Sequence, residues 1–259
     1  MIPSLLHLWA AIASICSSTD REVDAIVQQT QLIPSLSSRD RFEVILDVKG
    51  ATCLHLVPLV EPDKMQLRVM RMHPNEIDRF QCPSDDVLMA AVDRLASDNT
   101  LKLRELIVED DTRLPFDSAN PGSCRFPSLL LLTLFSSTPQ PLSYYTRFGF
   151  TWAKPSTSNQ IWSAAQAMHR SPLRELLNSR YLEELSRKFP DLKEEDVIKP
   201  LPVLLRELRE HDAKQAEKLL ATIDEYGRSM VDDPGRINVF LILSRIYPMK
   251  KVYNQPAAL

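Results

Sequence analysis

Glycine is scarce in this chain: five residues in 259, against nineteen prolines, where average usage would give roughly 18 glycines. Few glycines leave few turns with positive φ and little material for a glycine-rich phosphate loop. Closely spaced metal ligands are also lacking. The four cysteines, Cys16, Cys53, Cys82 and Cys124, form no CxxC pair, and the five histidines show neither HxxxH nor HExxH spacing. Zinc knuckles, dithiol motifs and helical zinc sites are therefore not expected, and no metal is called for. Cys16 and Cys53 lie in apolar runs, the usual surroundings of buried free thiols. There is no excess of cations either. A formal net charge of -3 argues against a polyanion-binding protein, so no direct nucleic-acid contact is expected.

Long apolar runs are missing as well. The longest near the start, Leu5–Cys16, is too short to span a bilayer, and no membrane association is expected. It has the length of a secretory h-region, yet no Lys or Arg precedes it and His7 interrupts it. The alternative is a buried N-terminal helix with Leu5, Leu8, Trp9, Ile12 and Ile15 on one stripe, in an intracellular protein. What remains is an ordinary globular composition, 44% hydrophobic and 25% charged, long enough for one large domain or two moderate ones.

Along the chain, Asp20–Gln31 carries apolar residues at helical spacing, and Ser35–Ser38 reads as a loop. Three strands are predicted next, over Phe42–Val48, Thr52–Val60 and Met65–Met72. Short turns at Lys49-Gly50 and Glu61-Pro62-Asp63-Lys64 imply an antiparallel meander. His73–Pro83 is irregular, and Ser84-Asp85-Asp86 opens a helix with Ser or Asp as its cap. Leu103–Val108 is a short strand ending in Glu109-Asp110-Asp111, followed by a polar loop over Thr112–Gly122 and a buried, leucine-rich helix over Pro127–Phe135. Beyond Pro155 the signals are helical, over Ile161–Leu177, Arg180–Phe189, Asp196–Arg209 and Asp212–Val231, while Ile237–Tyr247 suits helix or strand.

Three strands, loop, helix, strand and helix are followed by Tyr145-Thr-Arg-Phe-Gly-Phe150. In that order the hexapeptide resembles the closing signature of the GNAT acetyltransferases. The acidic strand end, long loop and leucine-rich helix are similar to a divergent, kinetochore-associated subgroup. The resemblance covers Arg41 to Lys154, under half the chain. It implies an α/β (α+β) fold with a mixed, mostly antiparallel sheet flanked by helices and followed by an all-helical C-terminal extension. Residues 1–40 would be N-terminal helices packed on the core, 41–154 the acetyltransferase domain and 155–259 the mainly helical extension.

The activity implied is direct transfer from acetyl-CoA to an amine, with a histone tail or other chromatin protein as partner and a nuclear, kinetochore location. The resemblance puts Tyr145 at the position of the family's leaving-group acid; alternatively its ring packs beside Phe148 and Phe150. Of the cluster Glu109, Asp110 and Asp111, Asp110 is the preferred base, followed by Glu109; alternatively the three charges face water at a strand-to-loop junction. Main-chain groups of Leu67, Val69 and Met70 would pair with the pantetheine arm of the cofactor. The family's glycine-containing pyrophosphate loop is absent from Met72–Ser84. Either the amides of Cys82, Ser84, Asp85 and Asp86 with the Arg79 guanidinium replace it, or the domain is a non-catalytic scaffold. The amphipathic helices beyond Pro155 would cover the cleft, dock on the domain or bind other kinetochore proteins.

Overall fold

The structure is a computed structural model that describes residues 20–34, 42–48, 51–61, 63–70, 82–97, 103–120, 122–230 and 238–253. The apolar run near the start, the loop Ser35–Ser38 and Arg79 with its neighbours in 71–81 lie outside the described residues. The chain divides into two units, Met1–Val108 with Lys250–Leu259, and Glu109–Met249. It is a mixed α/β protein with a mostly antiparallel sheet and flanking helices.

In the first unit, helix α1 (residues 20–29) buries Val23 and Ile26. Strands β1 (Gln31–Pro34), β2 (Phe42–Val48), β3 (Ala51–Pro58) and β4 (Lys64–Met70) then form an antiparallel meander. The period-two alternation of β2 explains its placement: Val44 and Leu46 are fully buried, while Glu43 and Ile45 stay partly exposed on the other face. Strand β1 was not expected. Its four residues are too few to show alternation, and Pro34 is tolerated because β1 is an edge strand.

Helix α2 (Asp85–Ser97) crosses over to β5 (Glu105–Glu109), which runs parallel to β4. Ser84 caps α2 as expected. Its hydroxyl oxygen accepts from the Val87 amide at 3.4 Å and its carbonyl from the Leu88 amide at 2.9 Å. Val87, Leu88, Ala91, Val92 and Leu95 are all buried along the helix.

The strand order in this unit is β1-β2-β3-β4-β5-β9, where β9 is Pro248–Val252. The part of the chain expected to be all helical therefore ends in a strand. Lys251 and Tyr253 hold it by side chains: the Lys251 ammonium meets both Asp93 carboxylate oxygens at 2.7 and 2.8 Å, and the Tyr253 hydroxyl donates to Asp93 at 2.9 Å. Burial, with the adjoining Asp93 carboxylate, pushes the Tyr253 phenol well above its ordinary pKa.

One sequence expectation is overturned here. Cys53 is not a free thiol; it is joined to Cys82 in a disulfide that links β3 to the residues just before α2. The two cysteines are 29 positions apart, and spacing alone carries no information on such a pairing.

The second unit contains the hairpin β6 (Arg113–Pro115) and β7 (Arg125–Pro127), helix α3 (Ser128–Phe135), a 3-10 helix over Tyr144–Phe148 and β8 (Thr151–Trp152). The hairpin lies partly inside the expected loop, because three-residue strands with proline give no strand signal. The leucine run is helical, as expected. The Ala153 amide donates to the Pro248 carbonyl at 3.0 Å, which sets β8 along the first residues of β9.

Among the described residues seven helices follow: α4 (Pro155–Arg170), α5 (Leu173–Leu176), α6 (Ser179–Lys188), α7 (Glu194–Val197), α8 (Leu201–His211), α9 (Ala213–Ser229) and α10 (Val239–Leu243). Two expected helices are broken, at Pro172 and Pro200. Ser171, before Pro172, is extended at φ -83° and ψ 138°, as the ring of a following proline requires. The two breaks meet, since Pro172 and Pro200 form an isolated antiparallel bridge. Leu130, Leu134, Ile161, Met168, Leu205, Leu220, Ile223 and Phe240 lie at the centre of a continuous apolar core.

Candidate functional site

The acidic end of β5 and Tyr144, the residue just before the Tyr145–Phe150 signature, meet at one carboxylate although 34 positions separate Asp110 from Tyr144. Asp110 accepts four hydrogen bonds. Its Oδ1 takes the Thr112 amide at 3.0 Å. Its Oδ2 takes the Ser128 hydroxyl at 2.6 Å, the Tyr144 amide at 3.1 Å and the Ser143 hydroxyl. Ser128 and Ser143 are only 2% and 3% exposed, so these bonds sit in surroundings where a lost partner is costly. Asp110 thus ties the strand end to the first turn of α3 and to the start of the 3-10 helix. A carboxylate with this many donors is built to hold backbone and hydroxyls in place. Glu109 and Asp111, on either side, are exposed.

The 3-10 helix opens at Ser143, whose amide donates to the Thr146 hydroxyl at 3.1 Å. It closes at Gly149, where φ is 83°. Only glycine takes that left-handed conformation without strain, and the Gly149 amide returns to the Thr146 carbonyl at 3.0 Å. The glycine of the signature therefore has a backbone reason. Tyr145 is buried, with its ring 5.6 Å from Phe150 and 6.3 Å from Phe148. Both residues are the ring neighbours that the packing alternative named. Tyr144 is half-exposed; its hydroxyl accepts from Arg147 at 2.7 Å, and that guanidinium lies 4.4 Å from the Tyr144 and Phe148 ring centres.

The residues expected to meet the cofactor belong to the first unit. Strand β4 pairs with β5 through Lys64–Glu105, Met65–Leu106 and Gln66–Ile107. Leu67 through Met70 run on past the last of these pairs. On its other edge β4 pairs with β3 as far as Leu54–Met70, with a register shift at His55/Leu56 that leaves Arg68 without a counterpart. Such a bulge puts one residue's main-chain groups out of step with the ladder. Leu67 itself is buried, whereas Val69 and Met70 enter as backbone, paired with His55 and Leu54.

At the start of α2, Cys82 is in the disulfide, and the Ser84 hydroxyl occupies the Val87 amide. Asp85 is buried and Asp86 exposed, both in the first helical turn. A pair of carboxylates there suits the helix dipole and opposes a second anion. Among the described residues, no group of three or more His, Cys, Asp or Glu is placed to hold a metal ion. No described helix is long and apolar enough to cross a membrane.

Thr112, Ser128 and Ser143 were not singled out from the sequence. Each is a single small polar residue that no spacing sets apart, and only the fold brings them to Asp110. The comparisons with known proteins add nothing to this geometry: no family model, no curated protein and no solved structure matches the chain.

Proposed function

We propose that the chain is an acetyl-CoA-dependent N-acetyltransferase of the GNAT type, acting on a protein amine. The acceptor in this reading is a lysine of a histone or other chromatin or kinetochore protein, and the site of action is the nucleus. The observation that carries the proposal is the relation of β4 to β5: two parallel strands joined by a crossover helix and paired only over their first residues. Strands joined only at their beginnings leave main-chain groups of Leu67–Met70 for a third extended chain, which the pantetheine arm of acetyl-CoA provides. The β4 bulge lies along this same stretch, where an amide out of step with the ladder suits a developing oxyanion.

In this mechanism the acceptor amine attacks the thioester carbonyl directly. The phenol of Tyr145 protonates the departing thiolate, and its aromatic neighbours hold the ring. Asp110 organises the turn that carries Tyr145 and is not itself the base. Titration calorimetry with acetyl-CoA tests the reading: heat of binding is expected, with a melting point raised by the equivalent of about 2.7 kcal/mol at a hundredfold excess over Kd. No heat and no thermal shift at millimolar acetyl-CoA would sink it.

A second reading, a non-catalytic scaffold of the same fold for kinetochore proteins, is favoured by the start of α2. Asp85 and Asp86 stand in the turn where a pyrophosphate would lie, and the Val87 amide is already engaged by Ser84. Acetyl-CoA binding without transfer, or no binding at all, is the outcome this reading expects.

A further inference from the structure

The acceptor ammonium has to lose a proton before its nitrogen can attack, and the first unit offers a destination for that proton. The His55 Nε2 lies 2.8 Å from the Glu43 Oε2. The two side chains reach each other across the β2–β3 pair, and both keep about a quarter of their surface exposed, 25% and 22%. Their sheet face is the one that the core leaves: Val44, Leu46, Leu54, Leu56 and Leu67 are buried behind it, while Glu43, Ile45, His55, Val57 and Gln66 are partly exposed.

A carboxylate can only accept, so Nε2 carries a hydrogen, and in the neutral ring Nδ1 carries the lone pair. Among the described residues Nδ1 has no hydrogen-bond partner. The position along the sheet is equally specific. His55 is in register with Val69, beside the bulge at Arg68, on the part of β4 that runs beyond its pairing with β5. The charged side chains on the two strands flanking β3 are Glu43 and Asp47 on β2 and Lys64 and Arg68 on β4.

We propose that His55 is the proton acceptor for the incoming amine and that Glu43 is its positioning residue; the inference rests on the acetyltransferase reading above. The Nδ1 lone pair takes one proton from the acceptor ammonium. The freed amine forms a C–N bond to the acetyl carbon as the C–S bond breaks. The second amine proton leaves with the CoA thiolate as its thiol, directly or by way of the general acid, and the imidazolium returns its proton to water. The site therefore takes a primary ammonium group as its substrate class, brought to the partly exposed sheet face that carries His55.

The test uses the full chain, with acetyl-lysine formation on histone-tail peptides and poly-lysine read by mass spectrometry, and acetyl-CoA binding read by calorimetry. His55→Ala is expected to lower kcat by about 10²–10⁴-fold, to leave acetyl-CoA affinity unchanged, and to regain rate when free imidazole is added. Glu43→Gln should lose rate with affinity intact, and Glu43→Asp should recover part of it. A His55→Ala protein that binds acetyl-CoA and works at the wild-type rate, or one that is slow and deaf to imidazole, overturns the assignment. Should that variant fail to fold, His55→Gln, which keeps a donor for Glu43, carries the same expectation, and wild-type turnover in it is equally fatal. Wild-type protein that binds acetyl-CoA but transfers to neither acceptor also overturns it. Absence of acetyl-CoA binding in the wild type removes the acetyltransferase reading itself, and so separates the two failures.

Discussion

The Tyr144 amide donates to Asp110 Oδ2 at 3.1 Å, and through this bond the acidic end of β5 holds the start of the 3-10 helix that carries Tyr145. Three further donors, from Thr112, Ser128 and Ser143, converge on the same carboxylate. Asp110→Ala removes the acceptor shared by two hydroxyls and two amides, of which the Tyr144 amide keeps the Ser128 oxygen at 3.2 Å and the Ser143 hydroxyl the Met249 sulfur at 3.1 Å. A loss of about 2–4 kcal/mol in unfolding free energy is expected, since each orphaned buried donor costs on the order of 1–3 kcal/mol and the effects overlap. Urea denaturation measures it. A change within experimental error would mean that water replaces the carboxylate without penalty.

Tyr145→Phe separates chemistry from packing. The ring is held by Tyr144, Phe148 and Phe150, and the substitution keeps it. Melting temperature and acetyl-CoA affinity should barely move, while turnover should fall by roughly 10²–10⁴ if the hydroxyl protonates the leaving thiolate. A clear drop in stability with an unchanged rate per folded molecule would make Tyr145 a packing residue alone.

Helices α9 and α10 meet at Gly227. A Cβ there would lie 2.3 Å from the Phe240 ring and 2.4 Å from its Cβ, and Phe240 is fully buried. Asn238 reinforces the approach by donating to the Gly227 carbonyl at 3.0 Å. Gly227→Ala should destabilise the protein by about 1–3 kcal/mol, the usual cost of overpacking a core. Thermal unfolding of Gly227→Ala with and without Phe240→Leu checks the cause, because the smaller side chain should recover part of the loss.

Asp224 gives a pH dependence with a definite sign. It is 3% exposed, with Arg228 at 2.9 Å and the Ser244 hydroxyl at 2.9 Å. Burial pushes its carboxyl above the ordinary range, opposed in part by the Arg228 charge. The folded state therefore holds this proton more tightly than the unfolded chain. Its contribution to stability is largest below the unfolded pKa and declines as pH rises through the folded one. Asp224→Asn should match the wild type best at low pH and gain on it progressively as pH rises from the acid range to neutrality. Denaturant titrations across that range measure the difference, and a gap that narrows with rising pH contradicts the sign.

The Cys53–Cys82 disulfide closes a loop of 29 positions, for which the chain-entropy model gives about 3–4 kcal/mol. Thiol counting on the denatured protein should find two more reactive cysteines after reduction than before, and a dithiol reductant should lower the melting temperature. Four reactive thiols without reductant would show that the bond does not form.

Much of the fold was written locally. The alternation in Phe42–Val48 and the β-formers of the next two runs specify strands, Ser84 announces the start of α2, and the leucine run of α3 could only be buried. Those features depend on neighbours a few positions apart, and the sequence displays them directly. The strand at Gln31–Pro34, the hairpin β6–β7 and the final strand β9 were not legible, because three to five residues do not establish a period and their pairing partners supply most of their stability. The breaks at Pro172 and Pro200 were legible in principle, since proline forbids the helix, but apolar spacing on both sides masked them.

The site divides in the same way. The sequence by itself determined which groups could do chemistry: the carboxylates Glu109–Asp111, the phenol of Tyr145, the glycine that turns the chain at Gly149 and the acidic opening of α2. Tertiary structure alone decided that Asp110 is a four-donor anchor, that Cys53 and Cys82 are bonded and that His55 sits against Glu43. The reason is physical: a carboxylate, thiol or imidazole has the same composition whether free or engaged. Its state depends on which donors and acceptors lie within about 3 Å, a distance that folding sets between residues 12, 29 or 34 positions apart.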